Sequence, residues 1–371
     1  MTSQVLTHDE PRKATWFELF FDLFFVTSVA GLAADFAGHY TPLGALHFAF
    51  LFLVLWWLWL GSAFHASRFD RDRPDQWALG FLQMLAVVFI AYGSSDAFGA
   101  RFWAFAGGVA AFKAVLILAY AREAHRPGLA RLCGLYGGLY AIQAALWAGS
   151  IWAEPGTRTA LWALALAIDV VTPFLVASET HRAPPHPEHL PERFGLFTLI
   201  LLGETAAAAV HALDHGDELH LDTLVVGLLG AVLGFLFWVG YFRRAKGHVE
   251  RHVHDAAAGR KLRLWAYGHI PLYLGIAGLG AGTVFLAHHP DPHGAEPFLY
   301  AGGAALGMAG VTLVSLANAG RGLASGLPYL GLAVLAALVP LVLQGAVVLA
   351  AAMVVMAAAQ IGLSVALARG K

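Results

Sequence analysis

Asp22, Lys113, Asp169 and Glu204 interrupt stretches of this chain that are otherwise long and apolar enough to cross a lipid bilayer. A charge in hydrocarbon is costly, so it persists only where it is paired, hydrated or used. At about 1.5 Å of rise per residue, counted from the arginine-rich ends of their segments, Asp22 lies about 8 Å deep, Lys113 about 12 Å, Asp169 about 14 Å and Glu204 about 15 Å. Gln83, Gln143, His269 and Gln360 fall in or near the same slab. Four helices carrying such groups at one depth could converge on a hydrated interior, where Lys113 neutralises one carboxylate and the others hold a proton or a cation. The opposing expectation is a static pair of Lys113 with one acid that fixes helix packing. Three carboxyls against one lysine favour the functional reading.

These residues must be positioned by helices in a membrane. Hydrophobic residues make up 58% of the 371 and charged ones 13%, with a mean hydropathy of +0.65, whereas a soluble domain carries roughly a quarter charged residues. A spanning helix needs about 20 mostly apolar residues. Runs of that kind are expected near 17–34, 43–65, 77–95, 102–121, 132–152, 159–178, 194–211, 222–242, 263–287, 297–317, 327–343 and 345–368. The last two are separated only by Pro340, Gln344 and Gly345.

Lysine and arginine fall overwhelmingly in alternate loops. One side receives both termini and the loops holding Arg68, Arg122, Arg126, Arg182 and Arg243, among others; the opposite side receives only Arg101 and Arg158. The positive-inside rule then places both termini of a multi-pass membrane protein in the cytoplasm. The first fifteen residues lack the apolar core of a removable signal peptide, so the first span is expected to direct its own insertion.

Four fragments of the first half recur in order in the second. Glu18-Leu19-Phe20 is echoed by Glu192-Arg193-Phe194, and Trp59-Leu60-Gly61 by Trp238-Val239-Gly240. Trp77-Ala78-Leu79-Gly80 is echoed by Trp265-Ala266-Tyr267-Gly268, and Ala106-Gly107-Gly108 by Ala301-Gly302-Gly303. The expected fold is therefore an all-α polytopic transmembrane helix bundle of about 12 spans. Residues 1–180 and 181–371 form two parallel six-helix repeats, related by a pseudo-two-fold axis along the membrane normal. Transporters are commonly built this way, with the binding site between the halves near the midplane.

Glu18 and Asp22 make an i, i+4 pair of like charges on one helix face, unfavourable unless a cation or proton intervenes. Arg193, at the equivalent start of the seventh span, is a candidate for that cation, and a plain anchoring role at the membrane interface is the alternative. His248, His252, His254 and Asp255 cluster in one loop and His288, His289, Asp291 and His293 in another, but neither spacing has the geometry of a structural zinc site, so no metal is assigned. The single cysteine, Cys133, excludes an intrachain disulfide. The near-neutral charge and scattered basic residues give no case for nucleic acid. Phosphate-loop, nucleophile-elbow and His-Glu-x-x-His patterns are absent. Gly107, Gly108, Gly137 and Gly138 are read as close-packing positions.

At Glu18-Leu-Phe-Phe-Asp22-Leu-Phe-Phe-Val26, and at Glu192-Arg-Phe-Gly-Leu-Phe-Thr-Leu-Ile-Leu-Leu-Gly-Glu204, the chain resembles the bacterial low-temperature-requirement A family of membrane proteins. The resemblance spans most of the chain. It implies an integral membrane protein, weights Glu18, Asp22, Glu192, Arg193, Phe194, Gly195 and Glu204 as functional positions, and names no substrate.

The leading expectation is a transporter, coupled to protons or another cation, moving a small solute or ion, with a pathway through Asp22, Lys113, Asp169, Glu204, His269, Gln83 and Gln143. Its partners are the lipid bilayer and that solute, and a homo-oligomer is compatible with the sequence. A membrane enzyme or a protein holding a cofactor or lipid in the same cavity is the second reading, with the cofactor unspecified. A sensor or scaffold that does not transport is the third.

Overall fold

The structure is a computed structural model that describes residues 12–69, 73–213, 220–245 and 256–369. Among the described residues there are twelve α-helices and no strand: α1 (Trp16–Gly38), α2 (Pro42–Phe69), α3 (Pro74–Ser94), α4 (Phe102–Glu123), α5 (Ala130–Gly149) and α6 (Pro155–Leu175), then α7 (His189–His211), α8 (Leu221–Gly240), α9 (Ala256–His288), α10 (Glu296–Ala319), α11 (Leu327–Leu338) and α12 (Ala346–Arg369). In lipid every backbone N–H and C=O must be satisfied internally, and a helix does this within one segment.

Eleven segments among the described residues are long and apolar enough to cross a membrane, which makes this a multi-pass membrane protein. The exception is α5, nearly as long as α3 but richer in glycine and tyrosine and carrying Gln143. Those residues lower its hydropathy, and the polar ones are turned inward: Tyr136, Tyr140 and Gln143 are buried.

Breakers set the helix ends. Proline occupies the first turn of α3, α6, α10 and α11, where its missing N–H would have no helical partner anyway. Between α11 and α12 the chain turns through Val339–Leu341 and reaches Gly345 at φ +83°, a conformation that only glycine adopts without strain. Thus Pro340 and Gly345 do divide the long C-terminal apolar run.

The chain forms two compact units. The first holds residues 12–32, 51–69, 73–196 and 256–260 of those described. In it α3, α4, α5 and α6 pack in sequence order, around Phe105, Trp147 and Trp162, all buried. Trp162 Nε1 donates to Ser150 Oγ at 2.7 Å, so the polar edge of a buried indole is satisfied. The second holds residues 33–50, 197–213, 220–245 and 261–369, with α10 against α11, and α12 against α8 and α11. Gln360 ties it together, its amide donating to Met308 O at 3.0 Å and Thr312 Oγ1 at 3.1 Å.

Candidate functional site

The first unit gathers a network of ionisable groups that is almost wholly out of water: Glu18 is 3% exposed, Asp22 1%, Arg193 1% and His189 0%. Glu18 and Asp22 stand four residues apart on α1, and His189 and Arg193 four apart on α7. Side chains at that spacing share one helix face. The two faces meet rung by rung. His189 Nε2 lies 2.9 Å from Glu18 Oε2, and an Arg193 N–H donates to Asp22 Oδ1. Because the lower-numbered residue of each helix pairs with the lower-numbered residue of the other, these portions of α1 and α7 run in the same direction.

The rungs are cross-braced. Arg193 Nη1 is 3.7 Å from Glu18 Oε1, and Arg12 Nη2 is 3.6 Å from the same oxygen. Trp59 Nε1, on α2, donates to Asp22 Oδ1 at 2.7 Å, and the Arg193 guanidinium lies 5.8 Å from the ring centres of both Trp59 and Phe21. Buried charges survive only with partners and hydrogen bonds of this kind. The start of each helix is also secured. Thr15 N donates to Glu18 Oε2 at 2.9 Å while Glu18 N donates to Thr15 Oγ1 at 3.2 Å, a reciprocal cap. The buried ring of His186 accepts from the backbone N–H groups of Glu188 and His189 at the start of α7. The side chain of Glu192 accepts from Ala14 N at 3.0 Å. Phe194 packs edge-on against Trp56 and Trp59, and Gly195 lies in the same turn.

A pocket, partly open to the outside, reaches this network. Glu18 and Arg193 stand in its wall with Phe17, Phe21, His65 and Gln83. Ser62 Oγ donates to Gln83 Oε1 at 3.0 Å across the same wall. Of the expected pathway residues Asp22, Lys113, Asp169, Glu204, His269, Gln83 and Gln143, all of them described, Gln83 alone lines this pocket.

The remaining candidates fall elsewhere. Lys113 Nζ meets Asp169 Oδ1 at 2.6 Å, with the lysine 0% exposed, and sits 4.8 Å from the Tyr140 ring centre. Gln143 stands beside Asp169 with no hydrogen bond of good geometry among the described residues. Glu204 belongs to the second unit, is half-buried, and makes no ion pair among the described residues. His269, also in the second unit, is fully buried and satisfied on both sides: Nδ1 by Trp265 O at 2.8 Å and Nε2 by Tyr241 Oη at 3.1 Å. That is the bonding of a core histidine. No group of three or more His, Cys, Asp or Glu side chains suited to a metal occurs among the described residues; His248, His252, His254 and Asp255 lie outside them. Of the four glycines read as packing positions, only Gly108 is tight: an added Cβ would come within 2.8 Å of Ile90 and 3.0 Å of Ala86 O, while Gly137 and Gly138 face open space.

The two sequence motifs thus begin on helices that pack face to face, α1 and α7, and the likeness to known proteins covers both. The family model for Bacterial low temperature requirement A protein (LtrA) matches residues 13–363. The chain belongs to the LtrA family. It is also similar to the uncharacterized protein RA0937 of Rhizobium meliloti (strain 1021), at 27% identity over 321 residues, covering 81% of this chain and 76% of that one. No solved structure matches it. The LtrA match includes both paired helix faces and the pocket wall.

His65, Ser62 and His189 are not residues that a search for charges deep in spans can find. One signal for His189 was present: with Arg193 it repeats the i, i+4 spacing of Glu18 and Asp22, so a carboxylate pair on one helix had a matching partner pair on another.

Proposed function

We propose that this LtrA-family protein is a transporter of the bacterial inner membrane, coupled to protons or another cation, that carries a small solute. One observation carries the reading. The pocket wall and the buried ion network share Glu18 and Arg193, so a solute in the pocket competes directly for groups that hold α1 to α7. A ligand shifts an equilibrium only by its differential affinity for the two states. A carboxylate–guanidinium rung that a ligand or proton can loosen supplies that difference, and Asp22 beneath it is the next group to respond.

The parallel course of α1 and α7 supports two six-helix repeats, 1–180 and 181–371, with both termini in the cytoplasm. The glycines add to this. Gly108, from the first copy of the Ala-Gly-Gly fragment, lies against the backbone of α3, and Gly303, from the second, lies 3.4 Å by its ideal Cβ position from Leu279 N on α9. Equivalent glycines thus serve equivalent contacts. Within this scheme Glu18, Asp22 and Arg193 with Gln83 form the pathway in the first unit, Glu204 is a separate proton or cation site, and Lys113 with Asp169 and Gln143 braces α4 against α5 and α6.

Reconstitution into liposomes with an internal pH dye tests this. An imposed gradient of solute is expected to drive proton or cation movement in the parent, and Glu18→Gln or Asp22→Asn to reduce it at least about tenfold, the size of effect that about 1.4 kcal/mol produces. Equal fluxes in parent and both variants refute the site, and a parent without flux refutes transport.

A further inference from the structure

The pair of Lys113 and Asp169 in the first unit is balanced in charge but leaves a neighbour unsatisfied. Lys113 Nζ donates to Asp169 Oδ1 at 2.6 Å, and no other charged group bears on either among the described residues. Gln143, 0% exposed, stands beside Asp169 with neither its Oε1 nor its Nε2 in a hydrogen bond among the described residues. A buried amide that bonds to nothing is costly and calls for an explanation.

Three kinds of group gather about the ammonium. Asp169, on α6, supplies a carboxylate that is 6% exposed. Gln143, on α5, supplies an amide that presents its oxygen after a half-turn of the side-chain end. Tyr140, one turn earlier on α5, supplies a ring whose centre is 4.8 Å from Nζ, within reach of a cation–π contact. The ring is fixed from its far end, because a Cβ added at Gly61 on α2 would come within 3.0 Å of its hydroxyl.

Carboxylate oxygen, amide oxygen and aromatic face are the surroundings that suit a hard cation out of water. A single carboxylate matches a single positive charge, and a divalent ion would leave a charge uncompensated. The ammonium, tethered to α4 and drawn to Asp169, does not use Gln143. An untethered ion could centre itself between the two oxygens.

We propose that Asp169, Gln143 and Tyr140 form a monovalent-cation site whose cation is built into the chain: the Lys113 ammonium stands in the place of a sodium or potassium ion. The native protein then needs no free metal cation here, and a chain without the lysine stem binds one. Lys113, Asp169, Gln143 and Tyr140 do not line the pocket, so the site is independent of the solute pathway proposed above.

The parent and Lys113→Ala, as detergent-purified full chains, are melted in sodium, potassium or choline chloride at one ionic strength, so that general screening is equal. The parent is expected to melt alike in all three salts. Lys113→Ala is expected to melt about 2–5 °C higher in sodium or potassium than in choline, and saturably, as for any ligand that only the folded chain binds. Adding Asp169→Asn is expected to abolish the response. Adding Gln143→Leu is expected to raise the ion concentration required at least about tenfold, which a purely structural role for the amide would not do. Equal melting of Lys113→Ala in the three salts overturns the proposal. A response that survives Asp169→Asn, or that appears at full size in the parent, places the ion elsewhere and overturns it as well. So does a Lys113→Ala chain that neither sodium nor potassium allows to fold.

Discussion

Lys113 and Asp169 show how the energetics of a buried pair depend on what is removed. The pair is sealed, 2.6 Å apart, with the Tyr140 ring beside the ammonium. Removing one partner leaves a bare charge out of water, whereas replacing both with apolar side chains removes the desolvation cost along with the attraction. Lys113→Met alone, and Asp169→Leu alone, are each expected to destabilise by about 3–5 kcal/mol, and the double variant to lie within about 1–2 kcal/mol of the parent. Chemical unfolding in mixed micelles, read as a double-mutant cycle, measures the coupling; additive losses would mean that the two side chains do not rely on each other. The Glu18, Asp22, His189 and Arg193 network should behave differently, because Glu18 and Arg193 face a pocket, so under the proposed function substitution there is expected to change solute flux as well as stability.

At the scale of the helices, neighbouring glycines test whether close approach is what holds α3 to α4. Gly108 has the atoms of Ile90 and Ala86 where a Cβ would sit, while the nearest atom to a Cβ on Gly107 is 3.8 Å away. Gly107→Ala is expected to be neutral or to gain up to about 1 kcal/mol from helix propensity. Gly108→Ala at the next position is expected to cost about 1–3 kcal/mol, as overpacking does. Thermal unfolding of the two variants side by side gives the answer, and equal stabilities would place the α3 and α4 contact elsewhere. The helices themselves were legible in the residues: all twelve expected spans coincide with helices, and Pro340 and Gly345 mark the last break. A bilayer makes this possible, since it forces backbone hydrogen bonds to be local. What composition did not convey was that α5, the helix least suited to lipid by hydropathy, uses its polar residues in buried positions.

For the whole molecule, the arginine distribution predicts sidedness that chemistry can read directly. The only native cysteine, Cys133, is buried, so background labelling by an impermeant maleimide is expected to be low. A cysteine in place of the exposed Trp152, between α5 and α6, should label in intact cells, and one in place of the exposed His125, between α4 and α5, only after the membrane is opened. The reverse pattern would invert the cytoplasmic placement of both termini.

Sequence by itself determined the helices, their breaks and the membrane as solvent, because run length is a local quantity, and the rise per residue supplied an expected depth for each charge. Depth is a single coordinate, however. It put Asp22 and Asp169 in one slab but could not say which helices adjoin or which way each side chain turns. Only the tertiary structure joined Glu18 to His189 and Asp22 to Arg193, each 171 residues apart, matched Lys113 to Asp169, and opened a pocket beside the first network, because lateral neighbours are set by packing between helices distant in the chain.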